Sequence, residues 1–157
     1  MVHIDLTGAG GLRAARPSRC PAELLTTTAR TTPTGAVVVA VRGEVDGITC
    51  AVLHDQVFGQ LRLTHHLVLD LGGVDFLCAA GLTVLVALEK TARQAGAVLC
   101  VVARNRQVCM PLTITGLSAV LDLHLDVAEA VVCEHAAPAS PPARSRLAAP
   151  RRPGDLR

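Results

Sequence analysis

The sequence contains neither tryptophan nor tyrosine, and Phe58 and Phe76 are its only aromatic residues. This scarcity argues against the aromatic platforms on which many proteins stack single-stranded nucleic acid. Only one lysine, Lys90, is present, and no phosphate-binding loop of the Gly-x-x-x-x-Gly-Lys-Ser/Thr type occurs. The dinucleotide-binding glycine pattern and the Gly-x-Ser-x-Gly elbow of hydrolases are absent as well. We therefore predict a protein that is not an enzyme, needs no cofactor and does not bind nucleic acid directly.

Long apolar runs and metal-binding cysteine motifs are also missing. No apolar stretch reaches the ~18 residues of a membrane span, and the N-terminus lacks the apolar core of a signal peptide. None of the six cysteines forms a Cys-x-x-Cys pair or stands beside a histidine at the usual ligand spacing. These absences predict a reduced, cytoplasmic protein with no membrane contact and no metal site.

The charge is distributed unevenly along the 157 residues. The formal net charge is +2, but the Pro/Ala/Arg-rich segment 136–157 holds five arginines and one aspartate. That segment carries a net +4, so the rest of the chain carries a net −2. Composition predicts a flexible extension over residues 1–20, one folded domain over residues 21–135, and a disordered tail over residues 136–157.

Between these terminal segments, strand-like and helix-like patterns alternate. The run Gly35–Gly43 is rich in β-branched residues, and residues 49–63 show helical spacing of apolar side chains, with Thr49 as a candidate N-cap. The complete pattern predicts strands at 24–29, 35–43, 67–71, 97–103 and 121–125 and helices at 49–63, 81–95, 106–115 and 126–134. This order predicts an α/β fold with a mixed sheet of four to five strands, an antiparallel first pair and about four helices.

Acidic residues near the predicted strand ends are the first candidates for chemistry. Glu44 and Asp46 follow the second strand, and Asp70 and Asp75 lie near the exit of the third. Carboxylates at the ends of adjacent strands can form a hydrolytic pair or a divalent-ion site. The alternative is helix capping and loop hydrogen bonding, which we favour because no His, Lys or Ser stands nearby in sequence to complete a reaction centre.

The stretch Asp70–Leu85, DLGGVDFLCAAGLTVL, resembles the signature of the anti-sigma factor antagonists of the STAS family. The family has an Asp-Leu strand end, a loop with Val and Phe, and an Asp-Ser-Ser/Thr-Gly turn that opens a helix. The upstream segment Gly43–Thr49 resembles the family's Gly-Glu-Leu/Val-Asp…Thr segment. The resemblance covers roughly residues 24–133 and implies the STAS fold.

The resemblance also implies a function and a set of contact residues. In the family, a serine-kinase-type anti-sigma factor with a histidine-kinase-like ATPase fold phosphorylates the serine before the glycine, and this blocks docking. Here that position is Ala80, within Cys78-Ala79-Ala80-Gly81, so the hydroxyl is lost and docking should not be switchable. The residues expected to bind the partner are Glu44, Asp46, Thr49, Cys78, Ala79, Ala80, Gly81 and Thr83.

Two other interpretations stay open at the sequence level. The lost hydroxyl is also compatible with a degenerate STAS scaffold or ligand-binding domain in a signalling complex, with self-association as one outcome. Cys78 stands just before a predicted helix, where a thiol can become reactive, so a thiol switch is a further hypothesis. Thr83 is the nearest candidate for a replacement phosphoacceptor.

Overall fold

The computed structural model describes residues 24–133. The predicted segments 1–20 and 136–157 lie outside this range. The elements follow the predicted order, with β1 at Leu25–Thr31, β2 at Val37–Val45, α1 at Cys50–Leu61, β3 at His66–Leu77, α2 at Ala79–Ala95, β4 at Val98–Val102, α3 at Arg106–Ile114, β5 at Asp122–His124 and α4 at Val127–Val132.

The five strands form one mixed sheet in the order β1-β2-β3-β4-β5. β1 runs antiparallel to β2, and every other neighbouring pair is parallel. This confirms the predicted mixed sheet with an antiparallel first pair. The carboxyl ends of β2, β3, β4 and β5 consequently lie at the same edge of the sheet.

The two faces of the sheet are covered differently. Val39, Leu69 and Val101 belong to the large core cluster formed with α1, α2 and α3. Their strand neighbours Val38 and Val68 belong to a smaller cluster on the other face, which is covered by α4. The central strands read as continuous apolar runs because both of their faces are buried.

The third strand is longer than its apolar run predicts. β3 does not end near Leu71 but continues through Gly72 and Gly73 to Leu77, with register shifts against β2. Glycine fits at both positions because arginine side chains occupy the space that a Cβ would fill. A Cβ on Gly72 would collide with the Arg104 guanidinium, and one on Gly73 would collide with the Arg42 side chain. What looks like a turn in the sequence is a strand segment over which arginine side chains pack.

The longest helix, α2, begins two residues earlier than predicted and ends where predicted. It contains seventeen residues and starts at Ala79 rather than at Gly81. Gly96 follows it in the left-handed conformation, with φ of 68°, and its N–H donates to the Arg93 carbonyl at 3.2 Å. Among residues 24–133, no helix combines the length and apolar character that crossing a bilayer requires.

Candidate functional site

The predicted partner-binding segments meet at the edge of the sheet where β2 and β3 end. The two strands are parallel, and Val45 is in register with Leu77. The backbone N–H of Cys78 donates a 2.9 Å hydrogen bond to the carbonyl of Val45. This bond holds the loop after β2, residues 46–49, beside the start of α2.

Asp46 and Thr49 fix the shape of the loop after β2. One carboxylate oxygen of Asp46 accepts hydrogen bonds from the N–H groups of Ile48 at 2.8 Å and Thr49 at 2.9 Å. The Thr49 hydroxyl donates to the Glu44 carbonyl at 2.7 Å and accepts from the Asp46 N–H at 2.9 Å. The backbone hydrogen bonds from Thr49 and Ile48 lower the pKa of Asp46, and the one from the Thr49 N–H has the larger effect. The Asp46 carboxylate therefore stabilises the backbone of its own loop.

Thr49 precedes α1 as expected, but it does not cap the helix through its side chain. Its hydroxyl is occupied by Glu44 and Asp46 instead, and the residue is completely buried. Glu44 is exposed and Asp46 is half-buried. Thr49 consequently stabilises the loop from its buried side through hydrogen bonds to the backbone, while Glu44 and Asp46 reach the surface.

The start of α2 lacks polar side chains in its first turn. Cys78, at the N-cap, has the extended conformation that caps adopt, with φ of −85° and ψ of 172°, but its side chain makes no capping hydrogen bond. Ala79 and Ala80 follow and are exposed. This surface therefore consists of methyl groups around the backbone N–H groups of the first turn. A helix N-terminus carries partial positive charge, and no acidic side chain of the first turn offsets it here.

Gly81 and Thr83 complete the predicted set. A Cβ on Gly81 would lie 2.6 Å from Leu77 Cδ1 and 2.7 Å from Val45 Cγ1, so only glycine lets α2 approach the strands this closely. Thr83 is exposed, and its hydroxyl donates to the Ala79 carbonyl at 3.2 Å. All eight predicted residues thus lie at one edge of the sheet, where six reach the surface and Thr49 and Gly81 lie beneath.

Two exposed apolar side chains at this edge were not among the predicted contact residues. Ile48, in the loop after β2, is 63% exposed, and Phe76, near the end of β3, is 51% exposed. Phe76 is in register with Glu44 on β2. Periodicity could not identify Phe76 as exposed, because Val74, two residues earlier in the same strand, is buried. Two sequence signals set Phe76 apart: the scarcity of aromatic residues, and its place in the motif that resembles the STAS signature.

The acidic residues considered for ion binding do not gather into a cluster. Within residues 24–133, no three of Glu44, Asp46, Asp70 and Asp75 come within ligand distance of one another. Asp70 accepts from the Gly72 N–H at 2.9 Å and lies 3.3 Å from Nη2 of Arg104. The bonds made by Asp46 and Asp70 are those of loop and strand-end stabilisation.

Comparison with known proteins shows which domain this is. The STAS domain model matches residues 27–130. The crystal structure of an anti-sigma factor antagonist from Mycobacterium paratuberculosis is 30% identical, with a TM-score of 0.63 over 68% of this chain and 91% of that chain. TM1081 from Thermotoga maritima is 20% identical, with a TM-score of 0.58 over 66% of this chain and 90% of its own. No curated protein sequence matches the chain.

The fold also occurs within a much larger protein. The murine anion transporter Slc26a9 is 18% identical, with a TM-score of 0.54 over 68% of this chain and 21% of the transporter. At this identity, as for TM1081, the likeness shows a shared fold alone. The STAS domain model, in contrast, matches the chain from β1 to α4, and the mycobacterial structure is 30% identical over most of the same fold. The chain therefore belongs to the STAS domain family.

Proposed function

We propose that the protein is an anti-sigma factor antagonist. It docks through the ends of β2 and β3 and the start of α2 on an anti-sigma factor of the serine-kinase type, and so frees a sigma factor. The observation that carries this proposal is the exposed, apolar first turn of α2 at Ala79 and Ala80, beside the ends of β2 and β3. The 30% identity to the mycobacterial antagonist, over 91% of that chain, supports the same class.

The composition of the edge suits a protein partner. Phe76 and Ile48 expose apolar surface beside the alanine turn, and Glu44 contributes a carboxylate. Protein interfaces combine an apolar, aromatic-containing centre with a polar rim. This edge offers such a centre together with the N–H groups of a helix N-terminus.

The docking is not regulated by phosphorylation at the usual position. Ala80 occupies the position that the resemblance assigns to the phosphoacceptor, and its methyl group has no oxygen to receive a phosphoryl group. A phosphate there would add about −1.5 to −2 charges to the interface. Since this chain cannot acquire that charge at position 80, ATP leaves its docking unchanged.

The proposal places the protein in the cytoplasm, where sigma factors act, with a protein rather than nucleic acid or a membrane as its partner. No disulfide joins the five cysteines of residues 24–133. A reducing compartment favours that state.

Calorimetric titration with purified anti-sigma kinases from the same organism tests the docking. The wild-type chain is expected to bind one of them with the same affinity with and without ATP. Ala80→Glu should weaken binding at least ~10-fold, because it places a charge in the centre of the interface. Ala128→Glu is the matched control, since Ala128 is the exposed second residue of α4 just as Ala80 is of α2. Equal affinities of Ala80→Glu and wild type, or no binding to any kinase, would refute the proposal.

Restoring the hydroxyl tests the missing switch. Ala80→Ser should be phosphorylated by the bound kinase and then released, whereas the wild-type chain should take up no phosphate. Phosphate on wild-type Thr83 would show that a replacement acceptor exists and would contradict constitutive docking. If no kinase binds and light scattering shows a self-associated chain, the scaffold interpretation replaces this one.

A further inference from the structure

A second cluster of reactive side chains lies on the face of the sheet that α4 covers. It comprises Cys100 on β4, Asp122 and His124 on β5, and Cys133 directly after α4. One ligand atom from each residue lies within 4.8 Å of the corresponding atoms of the other three. This four-residue group, the β5-edge cluster, takes no part in the docking edge described above.

The strand register brings the four residues together although 33 positions separate the first from the last. In the parallel pair of β4 and β5, Cys100 is in register with Asp122, and Val102 with His124. Alternate residues of a strand point to the same face, so Asp122 and His124 lie on the face occupied by Cys100. α4 then packs over this face through Ala130 and returns the chain to the cluster.

Two of the separations between donor atoms already match those around a tetrahedral metal ion, and the others lie within 4.8 Å. The Cys100 Sγ is 3.3 Å from Oδ2 of Asp122, and the same oxygen is 3.0 Å from Nε2 of His124. Zinc–ligand bonds of about 2.0–2.3 Å place tetrahedral ligand atoms roughly 3–4 Å apart. Two thiols, an imidazole and a carboxylate are the ligand types that zinc prefers.

The surroundings also fit a metal site. His124 is buried, and its other ring nitrogen, Nδ1, faces the Glu129 carboxylate at 3.9 Å, which is beyond hydrogen-bond distance. His66 adds a second imidazole, with Nε2 3.6 Å from the Cys100 Sγ. The Cys100 thiol donates its hydrogen bond to the Asp122 carboxylate in the metal-free protein. Metal binding would release this proton.

We propose that the β5-edge cluster binds one zinc ion through Cys100, Asp122, His124 and Cys133. With four protein ligands the site is closed, so the metal has a structural role and leaves no position open for catalysis. α4 contains only six residues, too few for a stable helix by itself, and the cysteine that follows it would be fastened to β4 and β5 through the metal. Zinc therefore holds the last described helix on the sheet.

The first experiment measures zinc on the complete chain, purified and kept under a non-chelating reductant. After metal removal and titration with zinc alone, the wild type should retain one ion per chain through buffer exchange. Its melting temperature should rise with zinc and fall again with chelator. Less than a tenth of an ion per chain, or a melting temperature indifferent to zinc, would overturn the proposal.

Cobalt substitution identifies the ligands, because thiolate–cobalt charge transfer gives an absorption whose intensity follows the number of sulfur ligands. Cys133→Ser should lose about half of this absorption and weaken zinc binding at least ~10-fold. Cys50→Ser is the matched control, since Cys50 is half-buried on α1 and packs against the core on the other face. Wild-type intensity in Cys133→Ser, or equal losses in both variants, would contradict the assignment.

A second variant keeps the test informative if Cys133→Ser unfolds. Cys100→Val removes the other thiol in a cluster that already contains Val38, Val68 and Val102, and the apolar replacement preserves the packing. This variant should give the native circular dichroism spectrum but no zinc-dependent rise in melting temperature. A rise equal to that of the wild type would exclude Cys100 as a ligand.

Discussion

Gly81 and Val45 lie so close together that a Cβ on the glycine would overlap the valine side chain. A Cβ on Gly81 would be 2.7 Å from Val45 Cγ1, and the neighbouring Leu77 Cδ1 would be 2.6 Å away. Gly81 is not among the glycines with positive φ, so its role is steric and not conformational. The absence of a side chain at this position lets the start of α2 pack against the ends of β2 and β3, which together form the proposed docking edge.

Replacing this glycine tests the steric argument. Gly81→Ala should lower the free energy of unfolding by about 1–3 kcal/mol, because the methyl group overpacks a closed contact. The matched control is Gly59→Ala in α1, where a Cβ would meet nothing within 4 Å. There the better helix propensity of alanine should raise stability by about 0.5–1 kcal/mol. Urea unfolding measures both, and equal effects would show that Gly81 is not sterically required.

The missing cap of α2 gives a second prediction. Cys78 has cap geometry without a capping bond, whereas Asn105 and Asp126 cap α3 and α4 through their side chains. Cys78→Ser supplies an acceptor for the N–H groups of the first turn and should raise the free energy of unfolding by about 0.5–2 kcal/mol. Cys78→Ala, which supplies none, is the control in the same urea titration. If serine and alanine are equally stable at this position, the turn is not limited by its cap.

Much of the fold could be predicted because its strands and helices have clear apolar patterns. The register of β2 with β3 then places the two motif segments side by side. The end of β3 could not be predicted, because Gly72 and Gly73 signal a turn locally. Their place within the strand depends on Arg104 and Arg42, which come from other parts of the chain.

The β5-edge cluster shows a different limit of sequence reasoning. Spacing rules for metal sites detect ligands that are close in sequence, such as two cysteines in one turn. Cys100 and Cys133 are brought together only by the pairing of β4 with β5 and by the path of α4 over the sheet. Neither relationship is visible in the local pattern of either residue.

Asp46 makes the stability of the docking edge depend on pH. Hydrogen bonds from the backbone, led by Thr49, lower its pKa in the folded state. A lowered pKa stabilises the fold at pH values above the ordinary carboxyl range, and this contribution is lost as the pH falls through the lowered value. Asp46→Asn should therefore be less stable than wild type near neutral pH, with a difference that shrinks as the pH falls below the ordinary carboxyl range.

Urea unfolding of both proteins across this range measures the effect. The neutral amide of the variant cannot titrate, so the variant supplies the baseline for every other carboxylate. A stability difference that stays constant from neutral to acid pH would show that the charge of Asp46 does not stabilise the loop.

Phe76 provides the last prediction, which rests on the proposed docking. Half of its surface is exposed at the edge, so Phe76→Ser should weaken anti-sigma factor binding at least ~10-fold, because aromatic anchors dominate protein interfaces. Leu63→Ser is the control, since Leu63 is 81% exposed but precedes β3 and so lies at the opposite edge of the sheet. Calorimetric titration should find Leu63→Ser equal to wild type. If both variants bind alike, the partner contacts the protein elsewhere, and the edge formed by β2, β3 and α2 is not the docking surface.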